Sequence, residues 1–281
     1  MKTLFISDLD GTLLNNNAEL SEYTKSVINN LMDSGGYFSI ATARTRETVK
    51  IIFAGAEVNV PAVLMNGACL YDMRSNKYVY SHSIIGDSLE KLINAAVKYD
   101  LSGFIYSLKN EMLSACYTKL STPQSRTFYD ERVRKYAKPF EKLGSFAEAQ
   151  DSNRNIIYFS VCDKREKLDP VVNELRAAGN MNIIYYKDIY DLGLWYMEVC
   201  SAKASKYSAV EYLRHEYKFD KVVTFGDNHN DISLFKAGDE CYAVANAVTE
   251  LKAHSTDVIS GNTDDGVAKW LVKNAFLKDE Y

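Results

Sequence analysis

Two acidic segments of the 281-residue sequence carry residue types and spacings that could do chemistry. The first is Asp8-Leu9-Asp10-Gly11-Thr12, directly after the apolar run Leu4-Phe5-Ile6. In extended backbone, residues two apart point the same way, so the two carboxylates can converge on one site. Two such anions ~4 Å apart repel by about 4 kcal/mol at an effective dielectric of about 20, which a shared proton or a cation must offset. Taken alone, the segment also reads as a solvated Asp-Gly turn. The second segment is Gly226-Asp227-Asn228-His229-Asn230-Asp231, which follows the apolar run Lys221 to Phe225 and opens a helical pattern. Asp231 falls in the first helical turn, where the exposed N–H groups favour negative charge. Asp227 and Asp231 by themselves could be turn and cap residues. Four carboxylates at two strand ends of one sheet, however, make a hard-cation site. Oxygen-only ligands suit Mg2+, which keeps waters and binds beside substrate phosphate.

The elements that must position these acids follow from hydrophobic periodicity. Lys2 to Ser7 is a short apolar run, expected to form a buried strand. Leu20 to Met32 places Leu20, Thr24, Val27, Ile28, Leu31 and Met32 on one helical face, and Gly35-Gly36 ends it. Strands are expected at Tyr37 to Thr42 and Ala62 to Met65, with a helix at Arg46 to Phe53 between them. Strand alternating with helix implies parallel pairing with right-handed crossovers. The alternation returns after residue 206: a helical pattern through Tyr217, the strand Lys221 to Phe225, and a helix near Asp231 to Ala237. A strand at Cys241 to Ala245 and a helix near Gly266 to Asn274 complete it. The two ends read as halves of one doubly wound sheet, whose strand ends are where open α/β sheets bind ligands.

The middle of the chain reads differently. Gly103 to Tyr117 has the pattern of a hairpin turning at Lys109-Asn110. Ile156 to Cys162, Asn182 to Tyr186 and Leu194 to Cys200 are β-rich, with a helical pattern from Pro170 to Ala178. An α+β domain with an antiparallel sheet is therefore expected at residues 83–192, inserted into a core of residues 1–82 and 193–281. Length agrees, since 281 residues is about two domains of roughly 150.

Composition narrows the function classes. Apolar residues are 47% and charged residues 25%, as in an ordinary globular protein, so disorder is excluded. The net charge of −4 supplies no basic excess for a phosphate backbone, which argues against nucleic acid as a partner. No apolar run approaches the ~20 residues that span a bilayer, and the first apolar run is too short for a signal peptide. Five scattered cysteines, with no CxxC pair, indicate a reducing compartment, so a cytoplasmic location is expected. Four histidines show no ligand spacing, and no P-loop or GxGxxG supports a nucleotide cofactor.

As a set, the motifs resemble those of the haloacid dehalogenase superfamily, and in detail its Cof-type phosphatase branch. The residues are DLDGTLL at 8–14, ATAR at 41–44, MNGA at 65–68, GDNHNDI at 226–232 and Asp265-Gly266-Val267. The resemblance covers nearly all of the two outer segments; the middle matches only in length and pattern. It implies a Rossmann-like doubly wound parallel sheet core with an inserted α+β cap. It further implies that Asp8 is a nucleophile forming an aspartyl-phosphate and Asp10 the general acid and base. Thr42 would hydrogen-bond the phosphoryl oxygens and Asn230 would help position the phosphate. Asp227 and Asp231 would hold Mg2+ with the Asp8 carboxylate and the Asp10 backbone carbonyl. Gly11, within the same DxDGT segment, would help bind the substrate.

The family pattern also implies a cationic residue, eight positions after a Glu-hydrophobic pair and followed by Gly. Glu198-Val199 selects Lys206, although Tyr207 stands where Gly is usual and Lys203 competes nearby. Arg44 follows Thr42 by two residues, with Ala43 in place of the usual Gly; it would grip phosphate or form a surface ion pair. Asn66-Gly67 would face substrate or simply turn the chain. Asn262 would close the rim of the site or cap a loop. His229 is expected to be an exposed position inside the acid loop. Tyr185, Tyr186, Tyr190, Trp195 and Tyr196 form either an aromatic platform or ordinary sheet packing.

Spacing sets the subclass. Thirty-four residues separate Asp8 from Thr42, but 164 separate Thr42 from Lys206, so the extra domain enters after the third strand and resembles the type IIB cap. Capped relatives mostly act on small phosphate esters. The expectation is a Mg2+-dependent phosphatase for a small phosphorylated metabolite, of the sugar phosphate or phosphorylated cofactor class. The alternatives are a phosphomutase of the same superfamily and a non-catalytic protein that binds a phosphorylated ligand. The sequence leaves the oligomeric state open.

Overall fold

The computed structural model describes residues 1–109, 111–150, 154–188 and 193–275. The chain divides into two compact units, Met1–Tyr80 with Ser205–Tyr281, and Ser81–Ala204. The strands begin with β1 (Thr3–Ser7), β2 (Tyr37–Ile40), β3 (Ala62–Leu64), β4 (Cys69–Asp72) and β5 (Lys77–Ser81). The second unit contributes β6 (Phe104–Lys109), β7 (Met112–Tyr117), β8 (Phe140–Lys142), β9 (Asn155–Lys164), β10 (Met181–Lys187) and β11 (Leu194–Ser201). The first unit resumes with β12 (Lys221–Gly226), β13 (Glu240–Val244) and β14 (Asp257–Ile259).

In the first unit the sheet order is β14-β13-β12-β1-β2, and every neighbouring pair is parallel. A strand covered on both faces must be apolar on both, which is why β1 reads as a run and not an alternation. Leu4 and Ile6 are fully buried and Phe5 nearly so. β1 and β12 are adjacent, with Ser7 opposite Phe225, so the residues that follow each strand emerge side by side. β3 joins the edge through one parallel bridge, Ala41 to Val63, and then pairs antiparallel with β4. Its second partner makes the separate three-stranded sheet β3-β4-β5, which the sequence pattern did not signal. Helix Glu22–Asp33 packs Val27, Ile28 and Leu31 inward, and the Ser21 hydroxyl caps it by accepting the Thr24 N–H at 3.0 Å. The crossover helix Lys206–Tyr217 buries Ala209, Val210 and Leu213 and carries a capping box of Ser205 and Ser208.

The second unit is a six-stranded sheet of order β10-β11-β9-β6-β7-β8, antiparallel except for β7 with β8. The hairpin β6-β7 forms as expected, closing with Lys109 opposite Met112; Asn110, in its expected turn, lies outside the described residues. One sheet face carries Ile105, Phe159, Val161, Met197 and Val199, packed in a core with Leu92, Ile93 and Leu168 of the helices Gly86–Lys98 and Arg165–Ala178. The latter helix starts five residues before Pro170, where the sequence pattern placed its beginning. Leu168, Val171, Val172 and Leu175 form one buried stripe that continues across Pro170, which lacks the amide N–H of a helical residue.

The inserted unit is longer than the expected residues 83–192. β11 pairs antiparallel with both β9 and β10, so Leu194–Ser201 belongs to the inserted sheet and not to the core, and the boundary moves to Ala204/Ser205. A strand that precedes a helix looks the same from sequence whichever sheet supplies its hydrogen-bond partners.

Phe159 is fully buried in the second core. Phe159→Ala is expected to lower stability by about 3–5 kcal/mol in urea denaturation, through lost transfer energy and a residual cavity. A loss below ~1 kcal/mol would mean that this core is not packed as described.

Candidate active site

Asp8 leaves the end of β1 with its N–H donated to the Phe225 carbonyl at 3.0 Å, which ties it to the adjacent strand end. The same strand, β12, delivers Asp227, and the short turn His229–Asp231 delivers Asp231. Lys206, the first residue of its helix, inserts between them. Its Nζ donates to Asp8 Oδ1 and to Asp231 Oδ1, each at 2.6 Å. All three side chains are nearly inaccessible. The other oxygen of Asp231, Oδ2, accepts the N–H groups of Asp227 and Asn228 at 3.0 and 3.1 Å, so this carboxylate also caps its own turn. Asp227 Oδ1 accepts the Thr12 hydroxyl at 3.1 Å.

Two glycines permit this closeness. Gly11 has φ +76°, and a Cβ there would stand 2.3 Å from Asp227 Oδ2. Gly67 has φ +93°, and its Cβ would stand 2.1 Å from the Ser205 carbonyl oxygen, at the start of the Lys206 helix.

Charge balance defines the chemistry. Asp8, Asp227 and Asp231 each place a carboxylate oxygen within 4.8 Å of the others, facing the single ammonium of Lys206. Burial, then the Asp231 charge, pushes Asp8 up to about 8 despite the opposing pull of Lys206. Burial, then Asp231 and Asp8, pushes Asp227 up to about 9. Burial alone would depress the Lys206 ammonium, but Asp231 and Asp8 outweigh it and hold it charged. A buried, oxygen-only set whose carboxylates resist ionisation fits a hard divalent cation, because such an ion supplies the missing positive charge.

Asp10 departs from the expected cluster of four carboxylates. Its side chain is 33% exposed and takes a two-pronged hydrogen bond from Arg44, Nε to Oδ2 at 2.7 Å and Nη2 to Oδ1 at 2.6 Å. The chain leaves extended geometry at Leu9, where the turn Leu9–Leu13 begins, so the two-residue alternation no longer points Asp8 and Asp10 the same way. Arg44 is therefore an ion-pair partner of a site residue.

Thr42 is buried at the end of β2; its hydroxyl oxygen accepts the Arg44 N–H at 3.1 Å and its carbonyl accepts the Asn66 N–H at 2.9 Å. Asn230 Nδ2 reaches Asn66 Oδ1 at 3.5 Å, a long contact between the loops after β12 and β3. Of the two competing lysines, Lys206 is the one inside the acidic cluster, while Lys203 falls in the other unit. His229 is half exposed and faces Glu250 at 3.0 Å, as expected for a position outside the chemistry. Asn262 is buried and donates Nδ2 to the Leu14 carbonyl at 2.8 Å. Thr12 and Asn246, which donates to the Gly11 carbonyl at 2.7 Å, were not anticipated as site residues. Thr12 stands inside the DxDGT motif that could have flagged it; Asn246 has no local signal. Tyr185 packs tilted against Trp195 and Tyr186 stacks on Tyr196 across β10 and β11, as sheet packing; Tyr190 lies outside the described residues.

Comparison with known proteins identifies the family and the fold. The sequence profile of the haloacid dehalogenase-like hydrolases matches residues 5–271. A 5-amino-6-(5-phospho-D-ribitylamino)uracil phosphatase of Bacillus subtilis, YitU, is 23% identical over 95% of this chain and 96% of its own. A second B. subtilis protein of the same activity, YwtE, is 25% identical over 96% of this chain and 97% of its own. Among solved structures, a haloacid dehalogenase-like hydrolase from Bacteroides thetaiotaomicron superposes with a TM-score of 0.78 at 19% identity, covering 97% of this chain and 99% of that one. That likeness speaks to the fold. Among the described residues, no helix is long and apolar enough to cross a membrane.

The raised carboxylates give a pH signature. Between their unfolded values near 3.8 and about 8 to 9, the native state holds protons that the unfolded chain has lost, so stability falls as pH rises through this window. A divalent ion bound by these carboxylates would replace those protons. The thermal midpoint in chelator should therefore fall from pH 6 to pH 9, and Mg2+ should raise it more at pH 8.5 than at pH 6. An equal Mg2+ increment at both values would contradict the charge balance described.

Proposed function

The chain belongs to the haloacid dehalogenase-like hydrolase family, and on that premise we propose that it hydrolyses small phosphate monoesters with Mg2+, through an aspartyl-phosphate on Asp8. The observation that carries the proposal is the Asp8 carboxylate, held by Lys206 beside Asp227 and Asp231 at the carboxyl ends of adjacent parallel strands. Mg2+ would be held by the carboxylates of Asp8, Asp227 and Asp231 and the Asp10 backbone carbonyl, supplying positive charge that lets an anionic nucleophile approach an anionic phosphate.

An Asp8 carboxylate oxygen attacks phosphorus, and the bond from phosphorus to the ester oxygen breaks. Asp10, in its acid form, gives its proton to the departing alkoxide, so the alcohol leaves neutral. As carboxylate, Asp10 then takes a proton from a water that attacks the aspartyl-phosphate, releasing inorganic phosphate and restoring Asp8. Lys206 fixes the Asp8 oxygen and lowers the repulsion met by the incoming phosphate. Thr42, Asn66 and Asn230 hydrogen-bond the phosphoryl group and its surroundings. Arg44 pairs with Asp10 in the free protein, and its planar fork suits a phosphate dianion equally well. Substrate binding draws Arg44 toward the phosphate and releases Asp10 for proton transfer.

The substrate is a small phosphorylated metabolite of the sugar phosphate or phosphorylated cofactor class. Two relatives named for a phosphorylated ribityl pyrimidine, a polyol phosphate carried on a ring, support that class.

Hydrolysis of an aryl phosphate should require Mg2+ and stop in excess chelator. Asp8→Asn should lower kcat by about 10^3-fold or more. Asp10→Asn should let the phosphorylated Asp8 peptide accumulate for detection by mass spectrometry after an acid quench. Near-wild-type turnover by Asp8→Asn would remove the nucleophile assignment. Binding of phosphorylated metabolites without phosphate release would favour a ligand-binding protein instead.

A further inference from the structure

The turn that follows Asp8 has to hold three things at once: the Asp10 carboxylate toward Arg44, the Gly11 backbone against Asp227, and the Thr12 hydroxyl on Asp227. Leu14 N–H returns to the Leu9 carbonyl at 2.9 Å, and the intervening backbone departs from helical angles at Asp10 and Gly11. The Gly11 carbonyl finds its partner elsewhere, on a residue 235 positions away.

That partner is Asn246, in the loop after β13. Its Nδ2 donates to the Gly11 carbonyl at 2.7 Å, and its Oδ1 accepts the Asn262 N–H at 3.1 Å. With both ends engaged, the amide has one orientation, since the reverse would set two oxygens against each other. Asn262 in turn donates its own Nδ2 to the Leu14 carbonyl at 2.8 Å. Three residues on, Asp265 Oδ1 accepts the hydroxyls of Ser21 and Thr24, which anchors the start of the next helix to the same loop. The segment from Gly11 to Thr24 is thus tied at four points to the loops after β13 and β14. At Gly11 there is no slack, because the space where a Cβ would stand is already occupied by Asp227.

We infer that Asn246, seated on Asn262, is a positioning residue for the reaction: it sets the Gly11 carbonyl and thereby the register of Asp10 and Thr12 against the Asp227 carboxylate. The inference rests on the phosphatase reading for its kinetic consequence but not for its consequence on the acidic cluster. Among the described residues the Asn246 side chain bonds Gly11 and Asn262 but neither Asp8 nor Lys206, and it is exposed, so its removal does not open the core. Asn246→Ala deletes both arms of the amide. Asn246→Asp keeps shape and the bond from the Asn262 N–H but replaces the donor to Gly11 with an oxygen. A residue that only stabilised the loop would tolerate the second change better than the first; a residue that positions Gly11 would not.

Both variants should fold with circular dichroism like the parent. Each should lose about 10-fold in kcat on an aryl phosphate, with KM changed less than about 3-fold, and the Mg2+ concentration that half-saturates the thermal shift should rise about 10-fold. The thermal-shift titration needs no turnover. If the parent enzyme proves inactive on phosphate esters, the phosphatase reading fails and the titration alone decides the role of Asn246. Half-saturation within 2-fold of the parent in both variants overturns the inference, as does an Asn246→Asp enzyme whose kcat matches the parent. Should Asn246→Ala misfold, Asn246→Asp carries the same test.

Discussion

Three carboxylates and one ammonium share a space from which water is almost excluded, and most of the first unit is arranged around that imbalance. Inside a protein such charges are weakly screened, so each uncompensated anion is felt by its neighbours. Lys206 answers two of the three acids directly, and the turn N–H groups of Asp227 and Asn228 answer one oxygen of Asp231. Asp227 receives the Thr12 hydroxyl, and no ammonium contacts it among the described residues. Burial first, and then the residual negative charge, pushes Asp8 and Asp227 above the ordinary carboxylate range, and that same charge favours a divalent ion.

Asp8 and Asp10 show how two like residues acquire different surroundings. They are two positions apart, yet Asp8 is buried beside other acids while Asp10 reaches partly into solvent and is gripped by a guanidinium. Leu9, fully buried between them, begins the turn that separates their directions. Such distinct surroundings are what the proposed mechanism needs, with one carboxylate as nucleophile and the other carrying a proton. Two carboxylates on one strand face would instead have shared a proton and blunted both roles.

What could be read from sequence follows from how local each signal is. Strands β1, β2, β3, β12 and β13 are short buried runs, legible because both faces are covered. β14 is Asp-Val-Ile, largely exposed at a sheet edge, and β8 is Phe-Glu-Lys with two exposed residues; neither carries a pattern. Helix Pro123–Tyr136 buries only Ser125 and Tyr136, so no apolar stripe announces it. Helix Gly86–Lys98 does bury Leu92, Ile93, Ala95 and Ala96, a stripe that the sequence reading leaves out although it is there to be read. In the site, Asp8, Asp227, Asp231 and Lys206 were legible through motif and spacing. The Arg44 pairing with Asp10 and the Asn246 bond to Gly11 were not, because each links residues far apart in the chain through geometry that no local window contains.

The parallel sheet explains why so many distant residues can meet without disturbing the fold. In parallel strands every carboxyl end lies on one edge. The loop after β1 supplies Asp8, the segments after β2 and β3 supply Thr42 with Arg44 and Asn66, and those after β12, β13 and β14 supply Asp227 with Asp231, Asn246 and Asn262. The strands themselves need only be apolar, so stability resides in Leu4, Ile6, Phe38, Val222 and Phe225 while chemistry resides one or two residues beyond them. This division lets polar residues accumulate at the loop edge with little demand on the core. Its limit is the buried cluster, where chemistry and packing occupy the same atoms: Lys206 is at once among the largest fully buried side chains of the protein and the cation that holds Asp8 in place.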